Sequence, residues 1–289
     1  MKRESAYIIG SGPSLLDLTE QEKCFLNEHR NTLSLNQYLL HWDTVGVIPK
    51  QHLMADGQFP CIKIFVETQK VIQELKTSID YYVPQNYLNY FPAGLNWREW
   101  KHAIRKRLQV WRKFGYRMPL RINRDNLSVF SQASEARYQH LISEDGWYWA
   151  KTLNDPLYFW RGTLTSAINL ASILWPDADI KLLGVDLNSY GYFFDPKRGE
   201  EDREDFHKFN EKRLSETSAV HHRKSHAQNT HATAVTYEQD GKTPLPGIQS
   251  AFPRMMEELA KTGNTLNCSN PNSLLVTDGV CPYSPIIPE

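Results

Sequence analysis

Short apolar runs alternate with stretches of helical spacing along this chain, and glycine, proline or asparagine closes most of them. The first run, Ala6-Tyr7-Ile8-Ile9, enters Gly10-Ser11-Gly12-Pro13-Ser14-Leu15: a strand that breaks into a glycine turn and then a helix start. Thr32 to Leu35 predicts a second strand ending at Asn36-Gln37, and Gln51 to Ala55 a third ending at Asp56-Gly57. Helical spacing over Ile62 to Leu75 is followed by a short strand, Tyr81-Tyr82-Val83. Thr165 to Trp175 has apolar residues at Ile168, Leu170, Ala171 and Leu174, stops at Pro176, and gives way to a buried strand over Ile180 to Asp186. A helix over Pro253 to Thr262 and a strand over Thr265 to Cys268 complete the series. This alternation predicts an α/β fold with a Rossmann-like, mostly parallel sheet and helices on both faces. There is no internal repeat.

Two stretches break the pattern. Residues 92–150 form an insertion rich in Trp and Arg. Within it, 97–114 predicts a helix with Trp97, Trp100, Ile104, Leu108 and Trp111 on one face, and Arg98, Lys101, Arg105, Lys106, Arg107, Arg112 and Lys113 over the rest. Either the stripe packs on the core and the charges are solvated, or the helix lies on a membrane surface. Residues 195–224 are charge-dense with little to bury. They read as a mobile lid, since they follow a strand end where open α/β sheets hold ligands, or as a solvated loop.

Composition narrows the partners. The 289 residues carry 33 basic and 33 acidic side chains, so no global field draws the chain to nucleic acid. Four cysteines lie far apart without a CxxC pair, which fits a reduced compartment and gives no zinc ribbon or disulfide frame. The first strand begins almost at once, with no signal peptide ahead of it, and no apolar run is long enough to span a bilayer. The expected location is the cytoplasm. An aromatic content of 12%, with 8 Trp, predicts a packed globular protein.

The glycine turn predicts a phosphate site, because glycines admit close backbone approach and the N–H groups of a helix start attract an anion. Pro13 suits a first helical turn and Ser14 offers a hydroxyl. A dinucleotide fold would need a third glycine where Leu15 stands and an acidic residue where Asn36 ends the second strand, which argues against NAD or FAD. No Lys-Ser or Lys-Thr pair follows, so the turn is not a Walker loop. Asp177-Ala178-Asp179 has the letters of a metal-binding DxD, but it precedes a strand and reads as a helix-to-strand turn. His221, His222, His226 and His231 cluster, with His222 and His226 at i, i+4. Without a nearby cysteine, one histidine acting as general base is a better reading than a zinc site.

Several of these pieces occur in order in one family. The chain resembles the bacterial CMP-sialic-acid-dependent sialyltransferases of glycosyltransferase family 42, which modify lipooligosaccharides. Gly10-Ser11-Gly12-Pro13-Ser14-Leu15 looks like that family's Gly-Asn-Gly-Pro-Ser-Leu, Asn36-Gln37 like its Asn-Gln, and Thr165-Ser166 like its Thr-Ser. Gly184-Val185-Asp186 with Tyr192-Phe193-Phe194-Asp195 is similar to its Gly-Ile-Asp and Tyr-x-Phe-Asp. His226-Ala227-Gln228-Asn229-Thr230 resembles its His-Ser-Lys-Asn-Thr, and Asn270-Pro271-Asn272-Ser273-Leu274-Leu275 its Cys-Pro-Asn-Ser-Leu-Leu. The matches span the chain except residues 60–155.

The resemblance implies the single-sheet variant of the nucleotide-sugar transferase fold: a core of residues 1–187 and 227–289, carrying the 92–150 insertion, beneath a lid of residues 188–226. It implies an inverting transfer from a CMP-sugar to a glycan acceptor, with neither metal nor cofactor. His226 would be the general base, and Tyr192 and Tyr190 the donors to the departing phosphate. Gly10, Ser11, Gly12, Pro13, Ser14, Asn36, Asp56, Arg161, Thr165, Ser166, Gly184, Asp186, Asn188, Asn272 and Ser273 would line the substrate site. Ser11 stands where the family has asparagine, and Asn188 where its first phosphate-binding tyrosine is expected, with Tyr190 two residues on. Asp56 falls near the family's donor-contacting asparagine, and Arg161 lies two residues further from the Thr-Ser pair than the family's arginine. These departures extend the donor range from sialic acid to other 2-keto acid sugars, such as Kdo or a legionaminic-type sugar. Expected partners are the CMP-sugar, a glycan acceptor and, through 97–114, the inner membrane surface; nucleic acid is not among them, and homo-oligomerisation is left open.

Two rivals remain. Gly46-Val47-Ile48-Pro49 to Asp56, with Gly12-Pro13-Ser14-Leu15, resembles a broader group of flagellin-glycosylation proteins, some of whose relatives transfer pyrophosphate to pterins. Such an enzyme would hold magnesium, with Asp56 and Asp186 as candidate ligands. The non-enzyme rival is a nucleotide-binding or membrane-scaffold protein built around the basic Trp helix.

Overall fold

The structure is a computed structural model that describes residues 3–55, 61–91, 97–119, 122–133, 135–143, 147–160, 162–188, 192–194, 236–237, 244–245 and 247–288. Seven strands form one sheet: β1 (Ser5–Ile9), β2 (Thr32–Leu35), β3 (Gln51–Leu53), β4 (Asp80–Pro84), β5 (Leu127–Phe130), β6 (Asp179–Leu183) and β9 (Thr265–Cys268). Two short strands, β7 (Thr236–Tyr237) and β8 (Pro244–Leu245), pair with each other antiparallel. The large sheet runs β5-β4-β3-β2-β1-β6-β9 and every pair in it is parallel. Parallel neighbours need crossovers. These come from helices α1 (Glu20–Glu28), α2 (Trp42–Val45), α3 (Cys61–Leu75), α4 (Trp97–Phe114), α5 (Thr163–Leu174) and α6 (Phe252–Lys261), with a short α7 (Leu274–Thr277) after β9.

Strand residues on one face, Ala6, Ile8, Leu33, Leu35, Leu53, Leu182 and Leu266, join α5 and α6 in one core. On the opposite face Tyr7, Ile9 and Leu183 pack with Leu26 of α1 and Val45 of α2, and Tyr81 and Val83 with Ile62, Phe65 and Val66 of α3. The sheet is thus the middle of three layers, as the alternation of strands and helices predicts. Crossovers out to β4 use one face, and those through α5 and α6 use the other. The winding therefore reverses between β1 and β6, and open α/β sheets hold ligands beyond the carboxyl ends of the strands at such a reversal.

Local chemistry accounts for the element ends. Thr19 caps α1 in a capping box: its hydroxyl accepts from the Glu22 N–H at 3.2 Å while the Glu22 carboxylate accepts from the Thr19 N–H at 2.8 Å. Gly46 closes α2 at φ +82°. Asp177 bends at φ 62° in the turn before β6, and Asp179 accepts from Thr265 and Asn267, so the Asp177-Ala178-Asp179 segment is a helix-to-strand turn at the amino end of the sheet, away from the carboxyl ends.

Two expectations need correction. Residues 92–150 are not wholly an insertion, because Leu127–Phe130 pairs with β4 as a full member of the sheet. The helix at 97–114 has its predicted bounds, but of the two readings of its stripe the core-packed one fails: Ala103 and Val110 are buried and Trp100 is half-buried, whereas Trp97, Ile104, Leu108 and Trp111 are exposed. Of the expected lid, 188–226, only Asn188 and 192–194 fall among the described residues.

Candidate functional site

Beyond β1 the chain does not enter an α-helix; residues Pro13–Asp17 make a single 3-10 turn. The backbone N–H groups expected to face a phosphate are taken. Gly10 donates to the Leu183 carbonyl at 2.8 Å, Gly12 to the Gly184 carbonyl at 2.7 Å, and Ser14 to the Asp186 carboxylate at 2.9 Å. The Ser14 hydroxyl donates to the same carboxylate at 2.5 Å, and the Asn270 side-chain amide does so at 2.7 Å. Asp186 is 4% exposed, so its charge is held by three donors in place of water. The expected anion cradle is a lock between the ends of β1 and β6, with Asp186 filling the role foreseen for a phosphate.

The glycines fit this lock. A Cβ on Gly10 would stand 2.5 Å from the Gly184 carbonyl oxygen, and one on Gly12 would meet the Asp186 carboxylate. Gly184 itself sits at φ +61° and a Cβ there would strike the Leu15 side chain. Both strand ends approach too closely for any other residue.

Around the lock the structure gathers further groups. Asn36, at φ 50° directly after β2, exchanges hydrogen bonds with the Thr163 hydroxyl at the start of α5, at 3.0 and 3.2 Å. Leu187, next to Asp186, is also at positive φ, 60°. Asparagine tolerates left-handed backbone, but leucine adopts it rarely, and such strain concentrates at ligand sites. Asn188 donates to the Asn272 carbonyl at 2.8 Å, and both residues are exposed. The Phe193 N–H donates to the Ser11 carbonyl at 3.1 Å, which brings Tyr192 beside the opening turn; its ring stacks on Phe194, and Phe194 on His41.

Other predicted residues have structural duties. Thr165 and Ser166 are fully buried, and their hydroxyls donate to carbonyls of the 158–162 segment: Thr165 to Trp160 and Gly162, Ser166 to Tyr158. Ser273, also fully buried, donates to the Val185 carbonyl at 2.6 Å and caps α7. Tyr190, His226, Asp56 and Arg161 lie outside the described residues. Among the described residues no group of three or more His, Cys, Asp or Glu is arranged to hold a metal ion. Both oxygens of Asp186, a candidate magnesium ligand, are engaged by N–H or O–H donors.

Thr163, two residues before the Thr165-Ser166 pair, was not anticipated from the sequence, and Asn270, the first residue of the 270–275 motif, was not assigned a role there. His52 was also missed. It lies on β3 opposite Ser34 of β2, its Nδ1 2.7 Å from the Ser34 hydroxyl, and its ring stacks on Tyr81 at 4.9 Å. Burial pushes its pKa down to about 3, with the Asn36 backbone acting weakly in the opposite sense, so the ring is neutral at pH 7.

No protein-family model, no curated protein and no solved structure matches the chain. What the geometry establishes is a parallel α/β protein in which the Gly10–Ser14 turn, Asn36, Thr163, Asp186 and Asn270 gather at the carboxyl ends of the strands, where the winding of the sheet reverses.

Proposed function

We propose that this protein is an inverting, metal-independent glycosyltransferase that moves sialic acid or a related 2-keto acid sugar from a CMP-sugar to a glycan hydroxyl, in the synthesis of surface lipooligosaccharide or polysaccharide. The observation that carries the reading is convergence. Motif segments scattered from residue 10 to residue 273 meet at the carboxyl ends of β1, β2, β6 and β9, the edge where open α/β sheets bind nucleotides.

The chemistry asked of the site is modest. The acceptor oxygen attacks the anomeric carbon as the bond from that carbon to the phosphate oxygen breaks. The bonding pair leaves with CMP, and the acceptor proton passes to the imidazole of His226. A leaving nucleoside monophosphate develops less charge than a diphosphate, so phenol donors in a water-poor site can offset it. Tyr192 and Tyr190 have that role here. Side-chain donors suit a site whose turn N–H groups at Gly10, Gly12 and Ser14 are already spent on β6 and the loop after it. Asp186 acts as a positioning residue that fixes the turn, and Asn36 with Thr163 offers amide and hydroxyl groups to the sugar or nucleotide.

The test is incubation with CMP-sialic acid, CMP-Kdo and CMP-legionaminic acid, reading both thermal stabilisation and release of CMP. One donor is expected to raise the melting temperature and be turned over slowly without acceptor. His226→Ala is expected to keep that stabilisation while losing transfer by about 10²- to 10⁴-fold, the usual worth of a general base. If none of the three donors stabilises the protein or releases CMP, the reading fails. Magnesium-dependent transfer of pyrophosphate to a pterin would replace it with the kinase rival.

A further inference from the structure

We infer that α4 is a membrane-docking helix that binds an anionic lipid surface through its solvent face. The inference is independent of the donor chemistry and rests on what this helix exposes. Trp97 is 72% exposed, Ile104 44%, Leu108 43% and Trp111 44%. At 100° per residue these four fall within a wedge of about 60° on one side of the helix. Ala103 and Val110 point the other way, into the protein, so the face that anchors α4 to the fold and the face it shows to solvent are separate. Arg107 secures the inner side, donating to the Met118 carbonyl at 2.8 Å, with its guanidinium over the Phe91 ring.

Charge selects the occupant. The helix carries seven lysines and arginines against one glutamate, in a chain whose total is 33 against 33. Lys101, Arg105 and Arg112 flank the apolar wedge on one side, and with Ile104, Leu108 and Gln109 they line a groove of about 390 Å³. Apolar and cationic rows running in parallel match the boundary between acyl chains and anionic headgroups, where indole rings also settle. A second copy would set like charges against each other across a two-fold contact. Nucleic acid would leave Ile104 and Leu108 facing phosphates. The Arg117 guanidinium, 5.8 Å over the Trp111 ring, adds a further cation at the carboxyl end of the helix. α4 belongs to the crossover between β4 and β5 at the sheet's outer edge, and four strand spacings, about 19 Å, separate β5 from β1 and the candidate site.

The experiment is sedimentation of the full chain with vesicles of phosphatidylcholine alone and with about 30 mol % phosphatidylglycerol, between about 0.05 and 0.5 M salt. Binding is expected only to the anionic vesicles, weakening as salt rises. A variant with Lys101→Gln, Arg105→Gln and Arg112→Gln should bind about 100-fold more weakly, each cation near such a surface being worth about fivefold. Trp97→Ser with Trp111→Ser should lose about 10-fold or more, and should reduce tryptophan quenching by brominated lipid to what Trp100 retains. All five positions are solvent-facing, so unchanged circular dichroism and melting temperature confirm that the variants are folded. Absence of wild-type binding to the anionic vesicles overturns the inference, as does equal binding by the two folded variants. Self-association or RNA-oligonucleotide binding that the same substitutions remove, with no vesicle binding, also overturns it.

Discussion

Replacing Asp186 should loosen the fold before it touches any chemistry. Its carboxylate accepts from the Ser14 N–H at 2.9 Å, the Ser14 hydroxyl at 2.5 Å and the Asn270 amide at 2.7 Å, all in a site 4% exposed. Hydrogen bonds to a charged group contribute about 1.5–3 kcal/mol each, and removing the acceptor strands three donors in a dry place. Relief from burying the charge offsets part of that, so Asp186→Ala should cost about 3–5 kcal/mol. Asp186→Asn keeps one acceptor oxygen but turns an N–H toward a donor, and should cost about 2 kcal/mol. For a chain of this size the alanine variant would melt about 6–12 °C below the wild type. Urea denaturation gives the free energies directly. Paired with Ser14→Ala, the alanine change should be non-additive by about 1–2 kcal/mol, since both substitutions break the same contacts. An Asp186→Ala protein that melts within about 2 °C of the wild type, or strict additivity with Ser14→Ala, would refute the lock between the two strand ends.

Gly184→Ala forces an L-residue to φ +61° and drives its methyl into Leu15, so a loss of about 2–4 kcal/mol is expected in denaturant titrations, against about 1 kcal/mol for alanine at the exposed Gly279, which shares the left-handed backbone at φ +69° but meets nothing within 4 Å. His52 makes stability depend on pH. Its folded pKa of about 3 lies below the ordinary 6.5, so the unfolded chain binds the extra proton first, and the contribution present above pH 6.5 is lost as pH falls toward 3. One proton corresponds to about 1.4 kcal/mol per pH unit across that window. His52→Phe, which can keep the stack on Tyr81, should remove that increment from the slope between pH 6 and 4.5, and an unchanged slope counts against a buried neutral ring.

Most strands were legible because short runs with apolar positions end at turn residues, apolar from Ala6 to Ile9 in β1 and alternating in β2 and the edge strand β9. β2 and β9 have the bounds that the pattern gives, and β1 and β6 begin within a residue of them. β5 was not legible. At the sheet's edge Ser128 and Val129 are exposed and only Phe130 is deeply buried, so no apolar run marks it. The span of α4 followed from its spacing, but its orientation did not. Large side chains usually point inward, and only the fold reveals that the smaller Ala103 and Val110 are the buried positions instead. In the candidate site, Gly10, Gly12, Asn36 and Gly184 announced a strained loop edge. The partner of the turn's N–H groups was hidden, because Asp186 lies 172 residues from Ser14 and either a phosphate or a carboxylate satisfies the same donors. Thr165 and Ser166 drew notice as a pair, yet their acceptors lie in an irregular segment that no periodicity describes.

The central position of β1 bears on synthesis of the chain. One edge of β1 is filled early by β2, but the other waits for β6, whose residues Asp179–Leu183 leave the ribosome long after Ser5–Ile9. At about 5–20 residues per second that interval is on the order of ten to thirty seconds. Throughout it a nascent half-sheet presents a bare, strongly apolar border able to zip onto its counterpart on a neighbouring polysome. Overexpression should therefore favour inclusion bodies, and slower translation at lower temperature should improve the soluble yield.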